Sequence, residues 1–87
     1  MNEEIHVRIR NVLIDKIQSE IRPEDLKRDT PLIEFGVGVD SIATLELLVA
    51  LESEFEITID EDEVNQELLE NIDCIADYII KRLEVST

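Results

Sequence analysis

The sequence predicts an all-α domain, a small four-helix bundle of three main helices and one short one. Three observations predict it. Apolar residues recur at spacings of three and four in three separate stretches. The only alternating, strand-like run, Ile57-Thr58-Ile59, is too short to found a sheet. The interior must be aliphatic, because 44% of the chain is hydrophobic while its only aromatics are Phe35, Phe55 and Tyr78. Eighty-seven residues are expected to form one domain, 1–87. A domain this size buries roughly 60–65% of its extended surface, which leaves room for a small core and little for a deep catalytic cleft.

The first helix is expected over 3–21, where Ile5, Ile9, Val12, Leu13, Ile17 and Ile21 form the stripe. Glu3 and Glu4 favour its start and Pro23 opposes its continuation past Arg22. Residues 22–40 carry Pro23, Pro31, Gly36 and Gly38 and read as a long loop between the first and second helices. Leu26, Leu32, Ile33 and Phe35 are expected to pin that loop to the core, with a one-turn helix around Pro31 to Phe35 shortening it. The clearest helix spans 41–55, with Asp40 or Ser41 as its N-cap and no Gly or Pro inside. Asp60-Glu61-Asp62-Glu63 suits the first turn of a short helix over about 60–68. The last helix is expected over 72–84, striped by Ile72, Ile75, Ala76, Ile79, Ile80 and Leu83, with Lys81 and Arg82 near its C-terminus.

The helix over 41–55 has two apolar faces. At about 100° per residue, Thr44, Leu47, Leu48, Leu51 and Phe55 share one face, the expected core side. Ile42, Leu45 and Val49 cluster on nearly the opposite side, flanked by Glu46, Glu52 and Ser53, with Glu56 continuing the line. This second stripe is either a docking surface whose acids orient a basic partner, or the mark of a helix enclosed on both sides. Burial of Ile42, Leu45 and Val49 would remove the docking reading.

The net charge is −14, and it is unevenly placed. Residues 29–80 hold 15 acids and no Lys or Arg, while eight bases and seven acids make the remainder +1. Such a balance argues against nucleic acid and against anionic membranes, both of which attract positive charge. It either steers basic partners or simply keeps the surface solvated.

Ser41 follows the glycine-bearing loop Gly36-Val37-Gly38-Val39 and stands at a helix start. A phosphate on its hydroxyl would lie at the positive end of the helix dipole, near free backbone N–H groups. A serine in that position after an aspartate is nevertheless more often a helix cap. The wider stretch adds weight. Gly38-Val39-Asp40-Ser41-Ile42, then Thr44, Leu45-Glu46-Leu47 and Ala50-Leu51-Glu52-Ser53-Glu54-Phe55, resembles the Asp-Ser-Leu signature and following helix of acyl carrier proteins. Asp77-Tyr78-Ile79 resembles that family's last helix, and the likeness in element order, length and acidity covers nearly the whole chain.

The resemblance implies a 4′-phosphopantetheine arm on Ser41, transferred from coenzyme A by a phosphopantetheinyl transferase, with Asp40 as the acid beside it. It implies that Ile42, Leu45, Glu46, Val49 and Glu52 dock transferases and acyl-processing enzymes with basic surfaces; Glu56 extends their line. The implied function is acyl carriage as thioesters for lipid, fatty-acid or polyketide-like biosynthesis, without catalysis. Asp40, where peptidyl carriers usually show His, favours acyl over aminoacyl cargo. The alternatives are a peptidyl or aminoacyl carrier and an unmodified acidic helical adaptor. The loop before Asp40 is about two residues longer than the commonest Leu-Gly-x-Asp-Ser pattern. Ala43 replaces a common acid, Glu56 a common Gly, and the segment between Asp60 and Asn71 is long. With these departures a specialised carrier, for a dedicated lipid or polyketide-like pathway, fits at least as well as a housekeeping one.

The remaining polar residues suggest no catalytic set. His6, the sole histidine, reads as a surface residue, and Cys74, the sole cysteine, as a buried inert thiol. Asp60-Glu61-Asp62-Glu63 lacks calcium-loop spacing and no metal site is expected, beyond weak cation binding to the acidic face. No apolar signal segment or membrane-length run occurs, so a cytoplasmic monomer is expected.

Overall fold

The computed structural model describes residues 2–16 and 22–85. Three helices form the bundle: α1 (Asn2–Lys16), α2 (Ser41–Phe55) and α3 (Ile72–Val85). Three 3-10 turns lie between them, at Pro23–Asp25, Leu32–Phe35 and Glu61–Glu63, and no strand occurs among the described residues. The fold is all-α, as the periodicities predict. The expected positions Ile17 and Ile21 of the first helix lie outside the described residues.

The core forms where the stripes of the helices converge. Ile9 and Leu13 come from α1, Leu47, Leu51 and Phe55 from α2, and Ile72, Ile75, Ala76 and Ile79 from α3. Five more core residues, Leu26, Leu32, Val37, Ile59 and Leu69, come from the connecting segments. The links therefore close the core that three short helices leave open. Ile33 departs from expectation: it points to solvent, because Leu32 takes the core position in this 3-10 turn.

The short fourth helix expected over 60–68 forms only as the 3-10 turn Glu61–Glu63. Two local features stop it. Val64 is extended (φ −79°, ψ 119°), which ends the turn. The Asn65 side chain then accepts the Leu68 N–H at 2.8 Å, a local bond that competes with a continuous helical ladder. Four adjacent carboxylates at 60–63 add repulsion that a short helix does not offset. Asn71, by contrast, caps α3 by accepting the Cys74 N–H at 2.9 Å.

Arginines from outside the acidic segment stitch it down. Arg8 of α1 donates through Nε to Glu54 Oε2 (2.7 Å) and through Nη2 to the Glu54 carbonyl (2.6 Å). Its guanidinium also lies 4.3 Å from the Phe55 ring centroid. It thus supplies a positive charge to the C-terminal end of α2, whose last turn has no base of its own. Arg82 of α3 donates to the Thr58 carbonyl at 2.8 Å through Nη2 and lies 3.8 Å from Glu63 Oε1. Arg28 donates to Asp73 Oδ1 at 2.9 Å.

Candidate functional site

The site is built at the N-terminus of α2. Asp40 is its N-cap: Asp40 Oδ1 accepts the N–H groups of Ile42 (3.0 Å) and Ala43 (3.2 Å). This resolves which residue caps the helix, and it frees the serine. Ser41 is the first helical residue and is exposed, and no side-chain hydrogen bond holds it among the described residues. Two N–H groups near Ser41, those of Ile42 and Ala43, are thus taken by Asp40. Ser41 itself still stands at the positive end of the helix dipole.

The preceding loop aims this helix start. Gly36 and Gly38 have φ of 88° and 87°, a left-handed conformation that other residues adopt only at a cost. The Asp40 N–H donates to the Gly36 carbonyl at 2.9 Å, and the Gly38 N–H donates to Thr44 Oγ1 at 2.8 Å. Thr44, expected on the core face, is thus half-buried and ties the loop to the helix. The Val37 side chain inserts into the core and anchors the loop from within.

The second apolar face of α2 points outward. Ile42 is 72% exposed, Leu45 59% and Val49 54%, so enclosure on both sides is excluded. Glu46 stands exposed beside them and Glu56 is exposed at the helix end. Glu52 has a different use: its Oε2 accepts the Ile59 N–H at 2.8 Å and holds the link after α2 against the helix. That internal role leaves no signature in sequence spacing, since it depends on where residues 57–60 fold back.

A cavity of about 330 Å³ opens beside the same loop. Ile33, Val37 and Gly38 form one wall and Glu67, Leu69 and Glu70 the other. Its size lies at the small end of ligand pockets, which run from about 300 to 1,000 Å³. Sequence reasoning missed it, because its walls come from distant segments that meet across the fold, where the Leu32 N–H donates to the Glu70 carbonyl (2.9 Å).

His6 is not the surface residue expected. It is 6% exposed, with Nε2 2.8 Å from Asp73 Oδ1. The Arg28 hydrogen bond to the same oxygen is the largest influence and holds the Asp73 carboxyl below the usual carboxylate range; desolvation opposes it, and the His6 bond adds to the lowering. Cys74 is half-buried rather than fully enclosed, and burial with the nearby Glu70 charge pushes its thiol upward, which disfavours the reactive thiolate. Among the described residues no three His, Cys, Asp or Glu side chains converge as a metal set. No described helix is long and apolar enough to cross a membrane.

A protein-family model described as the phosphopantetheine attachment site matches residues 8–79. The match takes in the loop, Asp40, Ser41, all of α2 and most of α3.

Proposed function

The chain belongs to the phosphopantetheine attachment-site family of carrier proteins, and on that premise we propose that it is an acyl carrier whose arm is joined to Ser41. One observation carries the choice of residue: Asp40 takes over the capping of α2, so the neighbouring Ser41 hydroxyl stands exposed and uncommitted. Carrier domains of this family are served by phosphopantetheinyl transferases and acyl-processing enzymes. In the attachment step the Ser41 oxygen attacks the pyrophosphate of coenzyme A, an Oγ–P bond forms, the P–O bond to the adenosine bisphosphate breaks, and the serine proton passes to a base of the transferase. The arm's thiol then carries the acyl group as a thioester.

The chain's own residues orient the event. Asp40 fixes the helix start, the two glycines aim it, and Ile42, Leu45 and Val49 offer the transferase an apolar strip. Glu46 and Glu56 rim the strip and favour a basic partner. Tethering raises the effective concentration of cargo at each docked enzyme, and carriage of this kind needs no catalytic residue on the chain. We read residues 1–87 as one such domain, a cytoplasmic monomer serving a dedicated lipid, fatty-acid or polyketide-like pathway.

Incubation with coenzyme A, Mg²⁺ and a broad-specificity transferase is expected to add one arm, seen by intact mass. Ser41→Ala is expected to abolish the gain. No gain with several transferases would count against the proposal, and partner binding indifferent to Ser41→Ala would favour an unmodified adaptor. A second reading, aminoacyl carriage, draws on Glu67 and Glu70 in the cavity wall, which suit the ammonium group of an amino acid. Loading by an adenylating ligase with an amino acid instead of a fatty acid would select it.

A further inference from the structure

The loop before Asp40 does more than aim the helix. It presents Val39 outward, 65% exposed, two residues before Ser41. It also holds that valine in place. The Val37 side chain is buried and its N–H donates to the Leu32 carbonyl at 3.3 Å. The Val39 N–H donates to the Gly36 carbonyl at 3.1 Å, and Thr44 Oγ1 accepts the Gly38 N–H at 2.8 Å. The two loop valines therefore divide the labour: Val37 anchors inside and Val39 is displayed outside.

Two residues span at most about 7 Å, so an enzyme that closes around the Ser41 hydroxyl also covers Val39. Val39 lies next in sequence to the acid that caps the helix, and like Ile42, Leu45 and Val49 it is an exposed apolar residue close in sequence to Ser41. We propose that Val39 is a specificity-determining contact for the transferase that modifies Ser41, and that Thr44 is the positioning residue that holds it in register. The partner it fits has a shallow apolar hollow beside its active site, inside a basic rim. A transferase shaped for a shorter, flatter loop meets Val39 as an obstruction. This inference rests on the proposed attachment at Ser41.

The test is steady-state kinetics of arm transfer, with the carrier as the varied substrate. Val39→Ser removes the apolar contact and, at so exposed a position, is expected to leave the melting temperature unchanged. Its KM is expected to rise about tenfold with kcat unchanged, the pattern of lost uniform binding. Thr44→Val keeps Val39 but removes the acceptor for Gly38; it is expected to raise KM likewise, and Thr44→Ser to restore it. Val7→Ser, at an exposed valine on α1, is expected to match wild type. Wild-type KM in both Val39→Ser and Thr44→Val would overturn this inference alone. A wild-type chain that accepts no arm would instead overturn the carrier reading from which it starts.

Discussion

Asp73 is the residue on which three parts of the chain meet. Its Oδ1 accepts from His6 of α1 and from Arg28 of the long connection, and its own N–H donates to the Arg28 carbonyl at 3.1 Å. The consequence for pH follows from the lowered carboxyl. Folding depresses this group below its unfolded value, so its stabilisation is fully present above that value and is lost as pH falls through the folded one. The side chain is more than a third exposed, so solvent screens the effect. Protonation of other carboxylates relieves repulsion at the same time, so the useful quantity is a difference. The gap in melting temperature between wild type and Asp73→Asn is expected to narrow as pH drops below about 4. A gap that stays constant down to the acid transition would show that the pair contributes nothing. None of this is legible locally, since His6 and Asp73 lie 67 residues apart. The exposed serine was legible, but its release from capping was not, because Asp40 and Ser41 are both competent caps.

At the scale of elements, α2 ends on a conformational cost. Glu56 adopts φ 53° and ψ 47°, a left-handed position usually given to glycine, while its N–H closes on the Glu52 carbonyl. A second bond to that carbonyl comes from the Ile57 N–H at 3.1 Å. Glu56, which departs from the Gly of the pattern the sequence resembles, thus sits where the backbone favours a glycine. Glu56→Gly relieves the left-handed strain and removes an acid from the negative end of the helix dipole, partly offset by the greater freedom of glycine in the unfolded chain. A net gain of about 1 kcal/mol is expected, which is a rise in melting temperature of about 4–8 °C in a domain this size. A fall in melting temperature would show that the Glu56 side chain makes a stabilising contribution larger than this strain. The same variant tests docking separately: weaker partner binding alongside higher stability would mark Glu56 as a recognition residue held at a cost. The helices themselves were readable from periodicity: α2 was expected over 41–55 and found at Ser41–Phe55. The helix expected over 60–68 was not formed, because acidic residues at a helix start are also good turn formers, and Asn65 chose the turn.

At the scale of the whole molecule, the charge is segregated along the chain. The segment 29–80 holds 15 acids and no base of its own, and Arg8, Arg28 and Arg82 reach into it from outside. Three arginines leave most of that repulsion standing. Added salt is therefore expected to raise the melting temperature, and Mg²⁺ to raise it further at equal ionic strength, because screening of many repulsions outweighs screening of three ion pairs. A melting temperature indifferent to both ions would show that the repulsion is already dissipated in solvent. What the sequence determined by itself is what short range encodes: three helical periods, a doubly apolar α2, the glycine loop before Ser41 and the acidic field. What only the tertiary structure decided is how distant segments share their groups. It sent Glu52 to the Ile59 N–H, Val37 inward and Val39 outward, and it enclosed His6 against Asp73. The reason is physical. A helical period is repeated along the chain and so can be read there. A hydrogen bond or a core position belongs to whichever of several equally capable residues the packing of the other segments brings within reach.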